Sequence, residues 1–282
     1  MAHRTDLLII DAQNDFCDLP ARYCPSDPLT GQARAPALPV AGAHADMQRL
    51  AAFIRASSTR IDAITVTLDS HHRIDVAHPP FWRTGAGGPV SPFTQITAGE
   101  VRAGAYQPRD AAHLPRTLAY LDALQASGRY TLMVWPLHCQ IGSWGHGLHA
   151  DVLAACNAWE DARLAPVHCV NKGDNPFTEH YSALQAEVPD AADAGTQLNL
   201  ALLARLDAAD TLLIAGEAGS HCVRATVEHL VAHLPSGRPE RLVLLIDCIS
   251  PVTGFEARQA EFLASMAGRG VRLARSDGLV PG

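Results

Sequence analysis

Short apolar runs alternating with helix-periodic stretches are what most limit the folds open to this chain. Residues 7–10, 61–68, 212–215 and 242–246 are β-branched or leucine-rich, and each is followed by Gly or Asp, the punctuation of a buried strand. Between the first two, Met47, Leu50, Phe53 and Ile54 recur at helical spacing within 45–56. Strand, helix, strand at this spacing reads as a βαβ unit and so as a parallel sheet. Helices over 114–126, 151–161, 198–206 and 255–267, with strands over 130–135, 167–170 and 271–273, continue the alternation. The expectation is an α/β chain: an open, mainly parallel β-sheet flanked by helices on both faces. Residues 83–109 break into Gly, Pro and Thr without periodicity and are predicted to be a loop. One domain, 1–282, with an insertion at about 83–130, is the simplest organisation.

At 282 residues the chain can bury a large core. Its net charge of −7, from 22 basic and 29 acidic residues without a basic run, argues against a nucleic-acid or anionic-membrane partner. No apolar run approaches the ~20 residues of a membrane span. The opening MAHRTDLLIIDAQ lacks the apolar core and small-residue cleavage site of a signal peptide. Seven cysteines at irregular spacing, with no CxxC pair, argue against a disulfide framework or a four-cysteine zinc site. A cytoplasmic location is expected. Neither GEAG nor GAGG is the G-x-G-x-x-G turn of a dinucleotide site.

In open parallel sheets, ligands bind beyond the carboxyl ends of the strands. Asp11 follows the first run; Asp69 and His71 follow the second. His138 follows 130–135, Lys172 follows 167–170, and Cys222 follows 212–215 across a small-residue turn. Cys222 falls in the first turn of a helix, where free N–H groups and the helix dipole favour a thiolate and so lower the thiol's pKa. A neighbouring Lys172 ammonium would lower it further. Each residue also has a plain reading: a small buried hydrophobe for Cys222, a surface lysine for Lys172, an Asx-turn for Asp11. Asp11 could equally be the general base that takes the thiol proton and returns it to a leaving amine.

Asp69, His71, His78 and His138 form a second group. Asp-x-His at the mouth of a strand places both side chains on one face. Oxygen and imidazole donors suit a divalent metal, zinc first, with iron or manganese as alternatives. His72 is an alternative to His71.

These residues resemble the nicotinamidase branch of the isochorismatase-like cysteine hydrolases. The resemblance rests on LLIIDAQNDFC at 7–17, VTLDSHH with His78 at 66–78, WPLHCQIGSWG at 135–145, VNKG at 170–173 and AGEAGSHCVRAT at 215–226. It implies the Rossmann-like fold of that family and a catalytic triad of Asp11, Lys172 and Cys222. The metal would be held by Asp69, His71 and His138, with His78 as a fourth ligand. The oxyanion hole would be the N–H groups of Ala218 and Cys222, with a cis bond between Glu217 and Ala218. Phe16 and Trp135 would sandwich a pyridine ring, and Gln13 would help orient that pocket. The implied chemistry is hydrolysis of a small carboxamide, nicotinamide first, through a thioester; the metal would orient the ring nitrogen, directly or through water. Another amide, carbamoyl or ureido compound is the alternative substrate, and a binding protein with a degenerate site the alternative class. The family also implies a homo-oligomer. Two departures stand out. The 83–130 excursion exceeds the compact members, and GEAGSHC carries Glu217 and Gly219–Ser220 where the family has an apolar residue and Thr–Asp, predicting a more flexible turn.

Overall fold

The computed structural model describes residues 3–279. Its strands and helices are β1 (Thr5–Ile10), α1 (Ala43–Ala56), β2 (Ala63–Asp69), β3 (Trp82–Thr84), β4 (Thr94–Ile96), α2 (Ala98–Arg102), β5 (Tyr106–Pro108), α3 (Leu114–Ser127), β6 (Leu132–Val134), α4 (Ala150–Arg163), β7 (His168–Lys172), α5 (Leu200–Asp207), β8 (Thr211–Gly216), α6 (Cys222–His233), β9 (Leu242–Leu245), α7 (Glu256–Gly268) and β10 (Arg272–Ala274). Six strands form a fully parallel sheet in the order β10-β9-β8-β1-β2-β7. The centre is the most apolar part: every residue of β1 is buried, as are the four residues of β9. Strands covered on both faces need this continuous hydrophobicity.

Strand order reverses at β1. The chain runs from β1 through β2 to β7 on one side, then returns to place β8 against the other edge of β1. Right-handed crossovers in opposite directions put helices on opposite faces; α1 packs with α4, and α6 with α7. A crevice therefore opens between the carboxyl ends of β1 and β8, where ligands bind in sheets of this type.

The excursion differs from its sequence reading. Residues 82–108 are not a featureless loop: β3 pairs antiparallel with β5, and β4 with β6. α2 is capped by a reciprocal Thr97–Glu100 capping box. The apolar run at 130–135 is consequently not a strand of the main sheet; its core, β6, closes a separate two-stranded ribbon with β4. Strands of three residues carry no resolvable period, which is why pattern alone passed over β3, β4 and β5. Among the described residues, no helix is long and apolar enough to cross a membrane.

Candidate active site

Register brings the reactive groups together. Ile10 lies opposite Gly216 on β8 and Thr67 on β2, and Asp69 opposite Lys172 on β7. Asp11, Asp69, Lys172 and the turn to Cys222 therefore leave neighbouring strand ends at one level. Gly216 is required there: it has φ +123°, and an added Cβ would lie 1.9 Å from the Ile10 carbonyl oxygen. Beyond it the Glu217–Ala218 peptide is cis, Glu217 N–H donates to the Ile10 carbonyl, and α6 starts at Cys222.

Lys172 Nζ is buried among three oxygens and a sulfur: Asp69 Oδ1 at 2.8 Å, His180 O at 2.9 Å, Asp11 Oδ2 at 3.0 Å and Cys222 Sγ at 3.6 Å. Thr67 Oγ1 donates to Asp11 Oδ1 at 2.6 Å and fixes that carboxyl. Desolvation pushes Asp11 up from the ordinary carboxylate range, against the pull of Lys172. Lys172 itself is held well above its ordinary value by Asp11 and Asp69, against desolvation. The Cys222 thiol is pushed well above its ordinary value, first by burial; Lys172 opposes this, while Asp11 and Asp69 add to it. This corrects the expectation of a lowered thiol pKa. One ammonium and a helix N-terminus do not outweigh full desolvation beside two carboxylates. Among the described residues, neither the Ala218 nor the Cys222 N–H donates to another protein group.

The turn is not loose. Gly219 N–H donates to Ser250 O at 2.8 Å, Ser250 N–H to Glu217 Oε2 at 3.1 Å, and Val252 N–H to Ser220 Oγ at 3.0 Å. A Cβ on Gly219 would lie 2.0 Å from Gln259 Oε1. The unusual Glu217, Gly219 and Ser220 staple the turn to the segment after β9, contrary to the expected flexibility.

Beside this cluster lie His71, His78 and His138, buried, with donor atoms within 4.8 Å of one another. Asp69 Oδ2 faces His71 Nε2 at 3.1 Å and His138 Nε2 at 3.4 Å, while its other oxygen holds Lys172. His71 Nδ1 meets Asp75 Oδ2 at 3.0 Å, which turns Nε2 inward in the manner of a metal-ligating imidazole. Asp69 and Asp75 hold His71 well above its ordinary pKa despite its burial, and burial drives His78 down to about 2, leaving it neutral. Three imidazoles and a carboxylate oxygen suit a first-row divalent ion. Of the two adjacent histidines, His71 joins the cluster; His72 is half-exposed and pairs with Asp174.

A narrow cavity of about 20 Å³ opens on Cys222, between Phe16 and Trp135, with Ala218, Asp69 and His138 on its walls. Gln13 does not line it. Its side-chain amide is spent on the Asp69 backbone, donating to the carbonyl and accepting from the N–H, both at 2.8 Å. Sequence reasoning passed over Glu179, Tyr181 and His221, which also line the cavity. The Tyr181 hydroxyl accepts from Trp135 Nε1, and the His221 ring stands perpendicular to Trp135 at 5.3 Å. Glu179 Oε1 accepts from His180 N–H, whereas Oε2 is buried without a hydrogen-bond partner among the described residues; burial raises this carboxyl to about 7. His180 accepts from Gly173 N–H through Nδ1 and is driven down to about 3, mainly by burial. Glu179, His180 and Tyr181 sit in the irregular segment after β7, where no periodicity marks them, and His221 stands just before α6.

A parallel α/β sheet with a thiol, an ammonium and a carboxyl at its switch point, beside a histidine cluster, defines the class. No family profile and no curated protein matches the sequence. Solved structures do match. The nicotinamidase/pyrazinamidase of Acinetobacter baumanii superposes with TM-score 0.63 at 17% identity, covering 99% of this chain and 100% of its own. The yeast nicotinamidase gives 0.62 at 17%, covering 96% and 99%. The pyrazinamidase of Pyrococcus horikoshii, solved in complex with zinc, gives 0.52 at 18%, covering 96% and 99%. The chain has the fold of these hydrolases.

Proposed function

We propose that this protein is a cysteine amidohydrolase acting on a small carboxamide, nicotinamide being the first substrate to test. The observation that carries the reading is the contact of Lys172 with both Asp11 and Cys222 at the floor of an aromatic cavity. Cys222 Sγ attacks the amide carbon as Asp11 takes the thiol proton. The C–S bond forms while the carbonyl π pair moves to oxygen, which the Ala218 and Cys222 N–H groups receive. The C–N bond then breaks, Asp11 gives its proton to the departing nitrogen, and ammonia leaves. Water next yields a proton to Asp11 and attacks the thioester carbon; the C–S bond breaks and the proton returns to sulfur. Lys172 favours the ionised form of Asp11 between these transfers and balances charge on sulfur. Phe16 and Trp135 hold an aromatic ring between them. Asp69, His71, His138 and His78 would hold a divalent ion, zinc being supported by the zinc-bound structural relative, and that ion would orient the substrate as a Lewis acid.

Ammonia release from nicotinamide is the test, with Cys222→Ala and a chelated sample alongside. Turnover should fall by at least ~10³-fold in Cys222→Ala and drop on chelation. Turnover retained by Cys222→Ala would sink the thioester route. An inert nicotinamide with other amides or ureido compounds turned over would move the substrate and keep the machinery.

A further inference from the structure

One cavity on the excursion gathers positive charge that the protein does not neutralise. Arg73, Arg83 and Arg109 come from three segments: the loop after β2, strand β3, and the residue following β5. They line one open cavity of about 370 Å³, together with Ile74 and a group of prolines, and no acid lines it. The two arginines that are anchored are held by neutral acceptors. Arg83 Nη2 donates to Gln107 Oε1 at 3.1 Å, and Arg109 Nη1 to the Pro80 carbonyl at 3.5 Å. By contrast, Arg102 and Arg116, also on the excursion, pair with Asp122 and Asp190. Among the described residues, none of the three cavity arginines meets a carboxylate, although the chain as a whole carries −7.

Three guanidinium groups around one space repel one another until an anion joins them. Their planar forks match the paired oxygens of a phosphoryl group. Ile74, Pro79, Pro80 and Pro89 add apolar walls for an attached organic body. We propose that this cavity binds a phosphate-bearing small anion, at a site separate from the reaction centre. The two cavities share no lining residue. Arg73 lies in the segment between His71 and His78, so a bound anion would tie that segment to β3 and β5 and give the ligand a handle on the histidine cluster.

Calorimetric titration of the whole protein with pyrophosphate and with AMP, in physiological salt, tests the proposal. Arg83→Gln/Arg109→Gln and Arg73→Gln are measured alongside. One-to-one saturable binding of either probe is expected, weakened at least tenfold in the double variant and severalfold in Arg73→Gln. Tighter pyrophosphate would mark a site for a bare polyphosphate, and tighter AMP a site for a phosphomonoester with an organic body. The Arg73 side chain is exposed and has no partner in the protein among the described residues, so its loss tests binding without disturbing folding. No saturable heat in the parent protein, unchanged affinity in both variants, or equal heat from acetate at matched ionic strength would each overturn the site.

Discussion

Cys222 makes a counterintuitive pair of variants informative. Its thiol is raised by burial and by the charges of Asp11 and Asp69, and lowered by Lys172. Asp11→Asn removes a negative neighbour, so the thiol should ionise at lower pH and alkylate faster at pH 7–8, while turnover falls by about 10²-fold or more with loss of the acid–base group. Lys172→Met should do the opposite to alkylation and also stop turnover. Iodoacetamide rates across pH decide it; if Asp11→Asn slows alkylation, the charge account is wrong. His71 is as specific a test of the metal reading. Asp75 holds its Nδ1 at 3.0 Å, so Asp75→Asn should weaken zinc binding by about 10–100-fold, measured by competition with a chelating dye. Unchanged zinc affinity would mean that His71 is not a ligand.

At the scale of elements, the site depends on how closely β8 approaches β1. Gly216→Ala would drive a Cβ into the Ile10 carbonyl at a positive φ, and should cost about 3 kcal/mol or more. Urea unfolding would show this, and any folded fraction should have lost activity because Ala218 and Cys222 follow directly. A variant of parental stability would contradict the packing. The same elements show what the sequence disclosed. Runs such as LLII and TLLIAG announced central strands because burial on both faces leaves no polar position, and the residues after them announced the site. Short strands such as β3 and β5 gave no signal, since pairing across an antiparallel ribbon is decided by distant partners. Glu179 and His221 were unreadable for a related reason: their place in the cavity is set by the packing of irregular chain. The direction of the Cys222 shift was misread because local sequence reveals a helix N-terminus and a neighbouring lysine, but not the depth of burial.

For the molecule as a whole, acid stability turns on histidines buried in neutral form. His149 is buried against His44 and Tyr23, and desolvation, helped by His44, lowers it to about 4. Its folded value lies below its unfolded one, so its contribution is complete above about pH 6.5 and is lost as pH falls toward 4. Its Nδ1 also accepts from Asp151 N–H at the start of α4, a role asparagine can keep. His149→Asn should therefore flatten the stability–pH slope in that window by up to about 1.4 kcal/mol per pH unit. Urea titrations at a series of pH values would show an unchanged slope if His149 were protonated in the fold. The sheet order has a consequence for how the molecule comes into being. β1 is synthesised ahead of β8, yet one of its edges belongs to β8, roughly 200 residues later. Until that strand emerges, a strand with the apolar run Leu7 to Ile10 waits with half its backbone unpaired, as an adhesive edge on the nascent chain. The thiol arrives on the very segment that closes that edge, so reactivity and protection from aggregation are acquired in the same step.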